Sequence, residues 1–349
     1  MNNVFVPRVG VVLVNFRGWR DTLLALATLF GSDYPACDVV VVDNDSGDDS
    51  IERICSWVDG KEQVVIPSAL VGLVKAGSVD DPNSFVVLNE REASCAPQNR
   101  ASFTLICANS NRGFAAGNNL GLGYLRRVGQ YDYFWLLNND AFPALDALTQ
   151  MVGRGLKDPT LGQIGATLIF AGRPEFVQAH GGAEYVCKTG LAYHIGAETR
   201  VADLACVQES EIERRMSYVV GASILVSEAF LSRIGLMDES YFLYFEELDW
   251  AERGKGSFGL GYARDALVYH KAGGSTQKRS RRSTLAAYYL ARNRLVVTKR
   301  FHPECVTTVK HSLVYEILKL LARARWSEAT GYWRALRESF RVASGDARP

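Results

Sequence analysis

Three apolar runs in the N-terminal half break abruptly into residues able to hydrogen-bond or ligate. Asn15 closes VGVVLVN, Asp43-Asn44-Asp45-Ser46 follows VVVV, and Asn138-Asn139-Asp140 follows YFWLL. Asp and Asn can bond the N–H of a base and the hydroxyls of a ribose, and an acid beside a diphosphate can hold a divalent cation through oxygen. Any one such end would serve equally as a turn or helix cap, and Pro143 suits the start of a helix after the third. Three of them at one sheet edge are what a nucleotide site needs.

Other segments carry further candidates. NRGFAAGNN, residues 111–119, sets Gly113 and Gly117 around an apolar turn into a helix. Backbone N–H groups there could approach a phosphate, or the glycines could serve a tight strand-to-helix turn. The segment is not GxGxxG, and the chain contains no GxxxxGK[ST], which weakens the dinucleotide and P-loop readings. YFEELDWAERG gathers Glu246, Glu247, Asp249 and Glu252 within seven residues. Such acids either favour a helix N-terminus or supply a carboxylate general base. His270 ends VYH ahead of a Gly-Gly-Ser turn, where it is a structural histidine or half of an oxygen-plus-imidazole metal site.

The elements that must position these groups alternate. Residues 9–16 read as a buried strand, 19–32 as an amphipathic helix closed by Gly31, 38–50 as a strand ending in acids, and 51–58 as a helix, so parallel βαβ packing is expected. Residues 60–102 read as an insertion carrying one strand, SFVVLN. Strand, Gly-rich turn and helix return over 103–128, followed by the strand 133–137. Further on the pattern is mixed over 161–196, 217–227 reads as a strand and 259–270 as strand-like, and 284 onward as helical, with apolar residues three and four apart. The spacing predicts an α/β domain over 1–275 and a basic helical region over 276–349.

Length and composition suit a soluble globular protein. The net charge of +1 hides an asymmetry: residues 271–349 hold 17 Lys or Arg against 5 Asp or Glu, a net +12, which leaves −11 for the rest. The basic part either meets an anionic surface such as lipid headgroups or covers an acidic face of the same molecule. Nucleic acid is not an expected partner. Seven cysteines form no close pair in sequence, which predicts reduced thiols in a cytosolic protein and no zinc or CxxC site. No apolar run of 18 residues occurs, so neither secretion nor a membrane span is expected.

Taken in order, VGVVLVNF, VVVVDNDSGD, NRGFAAGNN, FWLLNNDAFP, VGASILV, GLMDESYFLYFEELDWAERG, YHKAGGST and YYLARNRL resemble the family 2 inverting glycosyltransferases, in particular the rhamnosyltransferase-like branch that builds bacterial cell-surface polysaccharides. The resemblance spans roughly residues 8–300. It implies a GT-A fold, a mixed and mostly parallel sheet with helices on both faces followed here by a C-terminal helical extension. It also implies a nucleotide-diphosphate-sugar donor (dTDP-rhamnose first, then UDP- or GDP-sugars) and Mg²⁺ or Mn²⁺. By the same resemblance Val14, Asn15, Asp43 and Asn44 bracket base and ribose, and Asn111, Gly113, Gly117 and Asn118 lie near the donor. Asn138 and Asn139 begin a DxD-like element whose last acid, Asp140, is the metal ligand, with His270 joining the metal shell. The Glu-Asp pair of the family falls on Glu246-Glu247, so Glu247 is the expected base and Asp249 the alternative. Arg292-Asn293 match a helical Arg-Asn element. The implied acceptor is a growing or lipid-linked glycan at the inner membrane face, reached by peripheral attachment through the helices between 284 and 341; those helices could instead serve packing or an oligomer. The rival readings are a nucleotidyltransferase and a non-catalytic sugar- or partner-binding relative.

Overall fold

In the computed structural model, residues 6–79, 81–95, 101–271 and 283–341 are described. Strands and helices alternate through the first half: β1 (Val9–Asn15), α1 (Trp19–Phe30), β2 (Cys37–Asp43), α2 (Ser50–Val58), β3 (Phe85–Asn89), α3 (Glu90–Cys95), β4 (Phe103–Cys107), α4 (Phe114–Val128), β5 (Tyr133–Leu137), β6 (Ala141–Pro143) and α5 (Ala147–Lys157). The middle is richer in strand: β7 (Leu161–Phe170), β8 (Val177–His180), β9 (Gly182–Val186), β10 (Leu191–His194), α6 (Glu209–Arg215), β11 (Tyr218–Val219), β12 (Ser223–Ser227), α7 (Glu228–Ile234), α8 (Glu246–Gly254) and β13 (Gly259–His270). Three helices end the described chain: α9 (Thr284–Phe301), α10 (Val306–Ala322) and α11 (Trp326–Arg341).

The main sheet runs β3-β4-β2-β1-β5-β12-β7-β13-β6, with β8 on β7. From β3 to β5 every pairing is parallel. β12 is antiparallel to both β5 and β7. The apolar runs of β1 and β2 are continuous because both faces are covered. Val11, Leu13, Val39 and Val41 pack with Leu23 and Leu26 of α1 and Ile54 of α2. Their neighbours Val12, Val40 and Val42 point the other way, onto Leu122 and Leu125 of α4, the two-residue period of a strand. α4 lies flush on β1 because a Cβ at Gly117 or Gly121 would come within 2.8 Å of Val14 or 2.6 Å of Val12.

Two expectations are corrected. Residues 217–227 are not one strand: the chain turns at Val220–Ala222, where Ser223 N–H donates to the Val220 carbonyl at 3.2 Å. β11 joins β9 and β10 in a separate three-stranded sheet, while β12 enters the main one. The segment 60–102 carries the expected strand as the sheet's edge and also the helix α3. The predicted boundary at 275 lies outside the described residues.

The C-terminal helices share a core of Ala287, Ala291, Leu295, Leu313, Ile317, Tyr332 and Leu336. Val297 of α9 packs instead with Tyr241 and Leu248, which ties this layer to the acidic segment. No described helix is long and apolar enough to cross a membrane.

Candidate active site

The strand order reverses between β1 and β5, and the polar ends of β1, β2 and β5 gather beyond that switch point, where open α/β sheets bind ligands. Their side chains mostly satisfy one another. Asn15 donates to Asp43 at 2.6 Å and to Ser46 at 3.1 Å, and accepts from the Thr22 hydroxyl at 2.8 Å. Ser46 donates its N–H and hydroxyl to Asp43 at 3.1 and 2.6 Å. Asn139 turns its amide to Thr22 at 3.0 Å. Asn44 donates to Asn111 at 3.0 Å and to the Gly113 carbonyl at 3.1 Å. Asn118 donates back to its own helix at the Phe114 carbonyl, 3.0 Å away. These groups fix the loops around Val14 and Gly117.

At the helix N-terminus of NRGFAAGNN one N–H is taken up by the protein itself. Phe114 N–H donates to the Phe242 carbonyl at 2.9 Å. Gly113 takes φ +93°, and a Cβ there would lie 2.2 Å from that carbonyl oxygen. The glycine therefore lets the loop leading to the acidic helix dock on α4.

That loop is strained. Phe242, Tyr244 and Phe245 hold φ of +58°, +71° and +75°, which for bulky residues costs on the order of 1–3 kcal/mol each. Asn293 holds it down: the fully buried amide nitrogen lies 2.7, 2.8 and 3.0 Å from the carbonyls of Tyr241, Leu243 and Tyr244, its two hydrogens shared among three acceptors. Arg292 orients that amide at 2.6 Å and also donates to the Ser240 carbonyl at 2.9 Å. The Arg-Asn pair is thus a clamp on the acidic loop.

Glu247 emerges from the first turn of α8. Its carboxylate accepts backbone N–H bonds from Gly221 and from itself, while burial pushes its pKa up. Glu246 is 2% exposed, and its Oε2 has no partner among the described residues. Burial, then the neighbouring Glu247, push Glu246 well up. Two adjacent buried carboxyls resist ionising together. Both carboxyls are pushed towards the protonated form, Glu246 the further. Asp249 is placed otherwise: fully buried, it accepts from Tyr241 at 3.0 Å, Arg253 at 2.8 Å and Arg300 at 2.7 Å. These bonds tie α8 to α9 and leave Asp249 out of the lining of the cavity described next.

Asp140 and His270 meet at 3.1 Å, Oδ1 to Nε2, and Gln178 Oε1 lies 3.0 Å from His270 Nδ1. Burial pushes Asp140 up, but the bond to His270 and the charges of His270 and Lys271 outweigh it and hold the acid below its ordinary value. The roles of the two ring nitrogens depend on the tautomer; one that donates from Nδ1 to Gln178 turns the Nε2 lone pair towards Asp140, leaving room for a cation between them. Among the described residues no group of three or more His, Cys, Asp or Glu side chains gathers. The pair suits a hard cation that takes one or two protein ligands and completes its shell with phosphate oxygens and water.

A cavity of about 480 Å³ brings these parts together. Asn138, Gln178 and His270 contribute, as do Tyr218, Gly221, Glu246 and Glu247, and α9–α11 add Leu290, Arg294, Glu316 and Tyr332. Of the expected site residues, Asn138, Glu246, Glu247 and His270 line it, with Asp140 behind His270. Asn15, Asp43, Asn44, Asn111, Gly113, Gly117, Asn118, Asn139 and Asp249 do not line it. Gly221 is a site residue not singled out in the sequence, and its signal was a glycine inside a strand-like run, the mark of close backbone approach. A Cβ at Gly221 would lie 2.0 Å from Glu247 Oε1. Gln178 carried no signal.

No protein-family model matches the chain, and no curated protein matches it in sequence. Among solved structures it is similar to the mannosyltransferase PcManGT from Pyrobaculum calidifontis in complex with GDP-Man and Mn²⁺, at 14% identity over 99% of this chain and 89% of that one, with a TM-score of 0.53. It is also similar to GalNAc-T7 with UDP, GalNAc and Mn²⁺, at 12% identity over 77% of this chain and 44% of that one, with a TM-score of 0.50. The chain has the GT-A fold, with a mixed, mostly parallel sheet and C-terminal helices.

Proposed function

We propose that the chain is an inverting glycosyltransferase that moves a sugar from a nucleotide-diphosphate donor to a hydroxyl of a growing glycan, with Glu247 as general base. The observation that carries this reading is the shared cavity: Glu247, with a raised pKa and a fixed position on Gly221 N–H, opens into the same space as Asn138 and the Asp140–His270 pair. The two similar proteins of the same fold hold GDP-Man, or UDP and GalNAc, each with Mn²⁺, which supports a nucleotide sugar and a divalent cation.

In this reading Glu247 accepts the proton of the acceptor hydroxyl, whose oxygen bonds to the anomeric carbon as the bond to the diphosphate oxygen breaks on the opposite face. The nucleoside diphosphate leaves with the electron pair, and the anomeric centre inverts. Asn138 orients the donor ribose, Asp140 and His270 would hold the Mg²⁺ or Mn²⁺, and Gln178 fixes the imidazole tautomer. The cation, when bound, offsets negative charge on the departing diphosphate. Protonated Glu246 keeps a second charge away from Glu247. Asp249 is a positioning residue. The loops around Asn15, Asp43 and Asn44 form the nucleotide side, and dTDP-rhamnose is the first donor to test.

The acceptor is lipid-linked in this proposal, and α10 and α11 rest on the membrane. Trp326, Trp333 and Phe340 recur every seven residues on α11 and are 63%, 57% and 55% exposed; Val314 and Leu318 are exposed on α10. Lys310, Lys319, Arg334 and Arg337 share these helices. Exposed aromatics with basic residues on amphipathic helices suit an anionic lipid interface.

The test is a thermal-shift panel of nucleotide sugars with Mn²⁺, since a ligand that binds the folded state raises its stability. A shift with one donor class that disappears in excess chelator supports the reading; no shift with any nucleotide sugar overturns it.

A further inference from the structure

Among the described residues Arg294 is a buried cation without an ion pair. It is 1% exposed, yet it lines the cavity with Gly190, Leu290, Glu316 and Tyr332. Its Nε donates to the Thr189 carbonyl at 2.7 Å, and its Nη2 to that carbonyl and to Ser312 at 2.6 Å. The only carboxylate on this wall, Glu316, pairs with Lys319 at 3.9 Å. Burial pushes the guanidinium pKa down, with partial relief from Tyr332 and Glu316. A desolvated guanidinium with no carboxylate paired to it is costly unless an anion reaches it, and its planar fork suits an oxyanion.

Strand β10 measures how far this point lies from Asp140 and His270. His194 at its end hydrogen-bonds the backbone of Gln178 and feels the charge of His270. Gly190, just before its start, touches the Arg294 side chain. Four residue steps of strand, roughly 13 Å of backbone, separate Gly190 from His194.

We propose that Arg294 is an anion-binding subsite for the acceptor, taking either the phosphate of a phosphorylated carrier or the carboxylate of an acidic sugar. This rests on the glycosyltransferase reading for the word acceptor, but the binding does not. The full chain is titrated calorimetrically, in excess chelator, with inorganic pyrophosphate and separately with glucuronate. The subsite predicts that one of them binds wild type and Asp140→Asn alike, at least about tenfold more weakly in Arg294→Gln and several-fold more tightly in Glu316→Gln. Which probe binds identifies the source of the anion. Glu316→Gln leaves every Arg294 hydrogen bond in place, so it carries the test if Arg294→Gln does not fold. Binding of neither probe, binding lost in Asp140→Asn but kept in Arg294→Gln, or affinity unchanged in Glu316→Gln overturns the subsite. Anion binding at Arg294 in a chain that turns over no nucleotide sugar would leave the subsite standing and refute the enzymatic reading alone.

Discussion

Replacing Gly221 with alanine moves one carboxylate and little else. Gly221 does not adopt a left-handed φ, so alanine fits its backbone. The new Cβ, however, would lie 2.0 Å from Oε1 of Glu247, 2.9 Å from Cδ and 3.1 Å from Cγ. A real Cβ contact stays beyond 3.0 Å, so Oε1 must retreat by about 1 Å, and a catalytic group misplaced that far loses on the order of 100-fold in rate. That is about 2.7 kcal/mol of transition-state stabilisation. Each displaced atom belongs to a flexible side chain, so unfolding free energy should change by less than about 1 kcal/mol. Initial rates of nucleoside diphosphate release at saturating donor give the kinetic loss. Thermal melting and nucleotide affinity, both expected near wild type, show that only the carboxylate has moved. A Gly221→Ala enzyme as fast as wild type would refute the assignment of Glu247 as the proton acceptor.

Asn293→Ala leaves three carbonyls of a strained loop without their donor, so urea unfolding should show a loss of about 1–3 kcal/mol, with kcat falling more than donor affinity. A variant of full stability and rate would show that the loop needs no clamp. Glu246→Gln should change the pH profile of stability. The raised carboxyl makes the folded chain bind more protons than the unfolded one above pH 4.5, the ordinary value, so wild-type stability falls as pH rises through that window, by at most about 1.4 kcal/mol per pH unit. The glutamine variant lacks this fall, so its melting-temperature advantage should grow with pH; parallel profiles would argue against a protonated Glu246. Trp326→Ser with Trp333→Ser should weaken sedimentation with phosphatidylglycerol vesicles at low salt while leaving the melting temperature close to wild type, and wild-type protein that fails to sediment would make the exposed stripe a protein contact instead.

The parallel half of the fold was legible because β1, β2, β4 and β5 are buried on both faces and so read as short apolar runs ending in polar residues. β8 to β10 were not legible, and β11 was read as one strand with β12. β8 to β11 are two to five residues long and rich in Gly, His and Tyr, and β11 pairs with β9 some 35 residues away. The same divide runs through the site. Asn138, Asp140, Glu247 and His270 announced themselves at strand and helix ends, whereas Gln178, Gly221 and Arg294 matter through what touches them. In NRGFAAGNN the contact of Gly113 with the Phe242 carbonyl, made across 129 residues of sequence, could not be read in advance. The Arg292-Asn293 pair was visible, but its partners at Ser240 to Tyr244 were not.

The most direct test compares wild type with Glu247→Gln using the nucleotide sugar that stabilises the protein, Mn²⁺ and a lipid-linked glycan acceptor. The measured quantities are donor affinity, rate of transfer and the anomeric configuration of the product. The account predicts inverted product from wild type, and in the variant an unchanged donor affinity with transfer lost. Retained transfer in Glu247→Gln, or product of retained configuration, would contradict it.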